Sequence, residues 1–379
     1  MAASGEPGPA PGTAAALAAW ADCAVQPVWP RPDCHSLHSY FNACPESPDG
    51  RWVLLFVSAQ ADAHVGDLCL LERASGQFVV VAAQLEVEDA HRQANQQWLG
   101  RGDYVVYMHL AGGRWQVARW ERRTGTSTVL AVDCQVGWGQ PHLDDVPLYG
   151  LHWQPGMHRD LVLLNVRTGA VRTAVTLAQV LADYREAVAR LFPARPPDAI
   201  FFPILSPDGR RVIFKLTAVR DGQFRSPAAS TREGLFVYDL ATGRSLGLHP
   251  AWGHPAWLPD SRHLISLDLV IDTDTMATRS VPWYPRRCNT HPAVSPDGQL
   301  LCLDARRLPY ASVDLHWAVL VGDFQAAWRR VHSAAAPGDG TASWRPPHPH
   351  PVFSADGRRL YFNSNRGSWT ALHVAARRD

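Results

Sequence analysis

The tetrapeptide Ser-Pro-Asp-Gly occurs at 47–50, 206–209 and 295–298, with relatives Ser-Ala-Asp-Gly at 354–357 and Leu-Pro-Asp-Ser at 258–261. Each copy runs straight into a β-rich segment: RWVLLFVS, RRVIFKLT, QLLCLD, RRLYFNS and RHLISLD. Proline presets φ for a tight turn, aspartate can bond the backbone ahead of it, and glycine accepts positive φ, so the unit reads as strand, turn, strand. A second signal follows each turn by a few tens of residues, in segments such as DLCLLERASG, DLVLLNVRTG and GLFVYDLATG. Seven copies of this second signal can be counted through WTALHVA at the end of the chain, and the Thr-Gly or Ser-Gly endings of four of them, at Gly76, Gly125, Gly169 and Gly243, suit a hairpin into an outer strand. Repeats of this kind predict an all-β fold of seven four-stranded blades, a seven-bladed propeller.

One spacing is unusually wide. Between Gly169 and Gly243 the stretch TLAQVLADYREAVARLF has apolar residues at helical intervals, which predicts a helix inserted near 176–192. The last repeat ends after its third strand, so the segment around Ala24 to Trp29 is expected to supply the missing outer strand and close the ring, removing exposed sheet edges. Residues 1–15, rich in Ala, Gly and Pro, are expected to form a disordered tail, and 16–379 a single propeller domain.

Charge excludes several function classes. With 36 basic and 35 acidic residues, a net charge of +1 and no blocks of one sign, there is no footprint for nucleic acid or an anionic membrane surface. The basic residues are arginine with the single exception of Lys215, a bias that a GC-rich genome would produce. No apolar run reaches the roughly 18 residues needed to span a bilayer, and the first residues lack a signal peptide's basic and apolar regions. Seven cysteines without a Cys-x-x-Cys pair fit a reduced, cytoplasmic protein.

The segments leading into the innermost strands should converge at one mouth of the channel. Three successive blades place histidine there, in GHPAW (His254), THPAV (His291) and PHPHPVF (His348 and His350), and the first blade offers His35 and His38. Residues two apart in a strand point to one side, so His348 and His350 can face a common point. Two imidazoles from one segment and a third from its neighbour suit a divalent transition metal. The plainer alternative for any one of them is a hydrogen-bonded core histidine.

These segments, GHPAW, THPAVSPDG and HPHPVFSADGRRLYFNSNRG, resemble those of the oligogalacturonate lyases. The resemblance implies a TolB-like or WD40-like propeller that cleaves short oligouronates by β-elimination with a divalent metal, most often Mn2+. It further implies His291, His348 and His350 as metal ligands and His254 as the general base. The family's fourth ligand is a glutamine, and that position here is Arg345, a side chain with no lone pair to offer a metal. Arg345, together with Arg225 and Arg232 in FRSPAASTREG, is instead a candidate for binding substrate carboxylates. The competing reading is a non-catalytic TolB-like propeller that serves as a protein- or ligand-binding platform, because propellers host many functions. A prolyl-oligopeptidase-type hydrolase is excluded by the lack of a Gly-x-Ser-x-Gly elbow and of any chain left over for its catalytic domain.

Overall fold

A computed structural model of the chain describes residues 13–378, apart from 227, 286–289, 307, 314–315 and 337–344. Four hydrogen-bonded units show why the repeats turn where they do. The hydroxyls of Ser47, Ser206, Ser295 and Ser354 donate to the carboxylates of Asp49, Asp208, Asp297 and Asp356 at 2.5–2.7 Å. Each serine oxygen also accepts the backbone N–H of the residue five positions on, at 2.9–3.0 Å. Each aspartate accepts the N–H two positions on. The closing glycines hold φ of 67–72°, a region costly for any residue with a Cβ.

Between these turns the strands form seven blades of four, numbered here from the first: 35–86, 97–132, 134–175, 199–249, 256–280, 293–334 and 352–376. Blade 7 supplies only three strands from this span. Its fourth is Ala24–Pro27, paired antiparallel with Trp369–Ala376 in the register Ala24↔Ala376 to Pro27↔His373. The expected closure is therefore observed. It is reinforced between blades 7 and 1, where Arg359 of blade 7 donates to both oxygens of the buried Glu46 at 2.7 and 2.9 Å and the Tyr361 hydroxyl donates to the same carboxylate.

Two expectations need adjustment. Thr13–Ala18 is a helix whose Leu17, together with the following Trp20, is buried, and Trp20 meets the Phe353 ring edge-on at 5.7 Å. These side chains tie down residues that the predicted tail 1–15 overlaps; residues 1–12 lie outside the described part. The inserted helix is two short ones, Leu177–Asp183 and Arg185–Leu191, broken at Tyr184, with Thr176 accepting the Gln179 N–H as an N-cap. Their apolar faces, through Val180, Val188 and Phe192, pack on blades 3 and 4. Among the described residues no helix is long and apolar enough to cross a membrane, and the six described cysteines are free thiols.

A chain begun at Thr13 keeps every described contact and should melt like the full-length protein. Removal through Trp29 exposes the edge of blade 7 and strips Leu17 and Trp20 from the core, a loss of several kcal/mol at about 2 kcal/mol per large side chain. Differential scanning calorimetry should show Tm falling by roughly 5–10 °C; an unchanged Tm would mean that the strand does not close the ring.

Candidate functional site

The innermost strands of blades 5, 6 and 7 begin at Ala256, Ala293 and Val352, and in each blade the residue two positions earlier is histidine: His254, His291 and His350. In blade 4 the comparable place before Ile204 holds Phe202. His254, His350 and Phe202 have φ of 53°, 47° and 57°, a left-handed conformation that is uncommon outside glycine and characteristic of sites where a side chain must be aimed. This kink carries the rings across the channel. His348 and His350 converge for that reason and not by strand alternation, since 345–351 lies outside the strands.

His91, His291, His348 and His350 offer ring nitrogens that all lie within 4.8 Å of one another. Sequence reasoning missed His91. It lies in the loop between blades 1 and 2, where Glu88–Gln97 are buried and fold into the channel. It precedes the blade 2 inner strand, Gln97–Leu99, by six residues, and that strand ends in Gly100–Gly102 where four other blades have their Ser-Pro-Asp-Gly or Ser-Ala-Asp-Gly turn, so the repeat gave no register for it.

Hydrogen bonds fix how these rings are presented. His291 Nδ1 is 3.0 and 3.1 Å from the carboxylate oxygens of Asp304, which is fully buried. A carboxylate accepts, so Nδ1 carries the proton and Nε2 keeps its lone pair. His91 is set the same way, with Nδ1 donating to the Pro346 carbonyl at 3.3 Å. In both residues Nε2 is buried without a hydrogen-bond partner, as are His348 Nδ1 and both ring nitrogens of His350. Burial and the neighbouring positive groups hold His91, His348 and His350 below the usual imidazole pKa, so their rings are neutral at pH 7. Neutral rings, orphaned lone pairs and second partners at Nδ1 are what a divalent transition ion requires of a histidine site.

The backbone is pinned by two side chains from second strands. Asp304 accepts the N–H of His291 at 2.8 Å and that of His350 at 3.2 Å, which joins blades 6 and 7. Asn363 donates to the carbonyls of His348 and His38 and accepts the His38 N–H. The two blade 1 histidines stand outside the converging group. His38 Nε2 faces the Pro349 carbonyl, and His35 bonds Ala61 and the Thr370 N–H across the closing seam.

Beneath the rings Tyr40 and Phe41 plug the channel. The Tyr40 ring stacks on Trp138 at 5.4 Å and lies 4.5 Å from His350; Phe41 lies 5.3 Å from His291. Above them opens a cavity of about 590 Å³ lined by His254, Lys215, Arg232, Arg345, Glu88 and His152, with Arg220 and Arg225. The His254 ring sits 4.5 Å from that of His291, and burial first, then the closeness of His291 and Lys215, which penalises a second positive charge there, pushes its pKa well below the ordinary value. Arg345 is half-exposed at the rim and lies 3.6 Å from the Asp89 carboxylate. Arg232 is largely enclosed over the Phe201 ring and has no ion pair among the described residues. Arg225 donates to the carbonyls of Glu88 and Val87, so it is held against the buried loop as it lines the cavity. Glu88 accepts from Arg92 and Gln135 and faces His152 Nε2; burial opposes its charge, but Arg92 and His152 hold the carboxyl well below the usual range.

Two solved structures have the same architecture from end to end. An oligogalacturonate lyase from Vibrio parahaemolyticus superposes with a TM-score of 0.64 at 13% identity, covering 94% of each chain. An oligogalacturonate lyase in complex with manganese superposes with a TM-score of 0.63 at 17% identity, covering 95% of each. The chain shares their fold. No family model and no curated protein sequence matches it.

Asp304→Asn leaves the shape intact but replaces the carboxylate that orients His291. Affinity for an added divalent ion such as Mn2+ or Co2+, read by calorimetric titration, should fall about 10–100-fold, the usual effect of losing a partner behind a ligating histidine. Equal affinity would show that His291 is not a ligand.

Proposed function

We propose that the protein is a metal-assisted lyase that cleaves short oligouronates by β-elimination. The observation that carries this reading is the convergence of His91, His291, His348 and His350, with unpartnered ring nitrogens, beside His254, which lines a neighbouring cavity rich in basic side chains. His91 takes the place of the fourth ligand that Arg345 cannot be. The likeness to a manganese-bound lyase supports a divalent ion such as Mn2+ in this chain, and a reduced, cytoplasmic setting suits that chemistry.

Eliminating the 4-linked group of a uronate requires removal of the C5 proton beside a carboxylate. Negative charge then builds on that carboxylate, and an ion held by the histidines would offset it as a Lewis acid. Arg232 and Arg345 draw the substrate's carboxylates into the cavity and orient them, guanidinium to carboxylate. His254 is neutral at pH 7 and lies beside the ligand cluster, so its lone pair can take the C5 proton. Tyr40, Phe41 and Trp138 keep the floor dry, which strengthens each of these electrostatic contacts. The electron pair from C5 becomes the C4–C5 double bond as the bond to O4 breaks.

With Mn2+ supplied, short oligogalacturonides or related oligouronates should give the rising ultraviolet absorbance of an unsaturated uronate. His254→Ala should lower kcat by two to four orders of magnitude while metal content by elemental analysis is unchanged, because a base does not anchor the ion. His350→Ala should lose both metal and turnover. Arg345→Gln should raise KM about tenfold, the loss of one charged hydrogen bond. Wild-type protein with neither bound metal nor elimination across a panel of oligouronates would leave the propeller as a binding platform.

A further inference from the structure

Of the 36 basic residues in this chain, 35 are arginine, and the one lysine, Lys215, lines the cavity beside His254. Composition explains why lysine is scarce, but not why the exception falls there. Wherever only positive charge is wanted, arginine supplies it. What arginine cannot do is give up a proton near neutral pH, because its guanidinium stays charged.

The fold treats Lys215 as a special position. It lies in the second strand of blade 4, Arg211–Val219, at a break in the ladder on both sides. Toward the inner strand, Phe201 pairs with Lys215 and the register then shifts before Ile204. Toward the third strand, pairing passes from Phe214↔Phe236 to Leu216↔Glu233, leaving Lys215 opposite a bulge at Gly234. Gly234 has φ 78°, and a Cβ there would come within 2.6 Å of the Phe236 ring, so the bulge requires glycine. Bulges re-aim side chains and gather beside active sites. The ammonium lies over the Trp252 ring at 4.9 Å and has no ion pair among the described residues.

Resting on the lyase reading, we propose that Lys215 is the general acid of the elimination and protonates the departing O4 while His254 takes the proton from C5. The step balances. The C5–H electron pair forms the C4–C5 double bond, the C4–O4 pair leaves with O4, and O4 receives a proton from the Lys215 ammonium. His254 ends protonated and Lys215 neutral; solvent exchange restores both. The groups around the amine suit the role. Arg232 and Glu233 face it from the third strand, Arg345 and Arg92 from the segments ahead of blades 7 and 2, His254 from that ahead of blade 5, and Glu88 and His152 line the same cavity. Burial, then the charge of Arg232, brings its pKa down to about 7, offset in part by Glu233. An acid of that strength can both hold and release its proton at neutral pH.

Because the chain has a single lysine, protein grown with 13C-lysine gives one side-chain resonance, and its titration reports Lys215 alone. The expected midpoint is near 7 in the intact protein, whether or not the substrate is a uronate; a midpoint near 10 would overturn the proposal. Lys215→Arg keeps the charge and removes the transferable proton. It should lower kcat on oligouronates about 10²–10⁴-fold with KM nearly unchanged, while substrate recovered from D2O still gains deuterium at C5, since His254 is intact. Turnover within threefold of wild type, or loss of deuterium exchange together with elimination, would overturn the acid role. Wild-type protein that neither exchanges C5 nor eliminates would instead sink the lyase reading itself.

Discussion

A serine hydroxyl that donates to an aspartate and accepts a backbone N–H is the joint on which four blades turn, and the geometry of the site is inherited from it. The joint sets where each innermost strand ends and therefore, through the antiparallel ladder, where it begins at the opposite mouth of the channel. Blades with the same turn bring equivalent residues to the same height around the axis. His291 and His350 share a place for this reason, and blade 5, which turns through Leu-Pro-Asp-Ser without the serine joint, reaches the same register with an innermost strand of the same length, so His254 stands beside them. In a closed ring a function can thus be assembled from residues a hundred positions apart without any of the connecting loops being long.

Convergence of like residues creates an electrostatic problem, and the protein meets it by keeping the rings uncharged and dividing the charge by place. Around the converging nitrogens, burial suppresses protonation of His91, His348 and His350, and the Asp304 carboxylate orients His291 from behind. In the wall, cations outnumber the carboxylates left free, because Glu88 is held by Arg92, Gln135 and His152. The result is a site that would draw anions to its wall and a soft-nitrogen-seeking cation to its floor. Left-handed backbone at His254 and His350 is the conformational cost of that arrangement, at about 1–3 kcal/mol each, and a ring of seven packed blades can bear it.

Not every histidine read as a candidate belongs to this site. His35 and His38 sit in the same sequence setting as the others, yet their rings bond carbonyls at the seam between blades 7 and 1. Both ring nitrogens of His35 are engaged, and His38, whose Nδ1 is unpartnered, stands outside the four rings whose nitrogens converge, whereas His350 is among those four and neither of its nitrogens has a partner. Arg225 makes the same point among the arginines. It occupies the cavity wall as the sequence suggests, but its N–H groups are engaged by the Val87 and Glu88 carbonyls, while Arg232 three strand positions into the next segment keeps its fork toward the cavity.

Local chemistry repeated along the chain determined the blade count, the closing role of the segment around Ala24 to Trp29, the inserted helical stretch and three of the four converging histidines. Each of these rests on an interaction between near neighbours, a turn, a strand period or a helix face, so a linear pattern encodes it. His91 could not be read this way. It reaches the site because the loop after blade 1 is buried along a path set by bonds to Asp89 and to the Pro346 carbonyl, which leads into the adjoining blade 7 from the other end of the chain. The sequence likewise shows that Lys215 is unique but gives no hint of where its amine points; two breaks in strand register and the closeness of blade 5 decide that. What tertiary structure alone settled is which lone pairs and protons are left over once every other partner has been found, because that remainder depends on contacts between segments that the sequence keeps far apart.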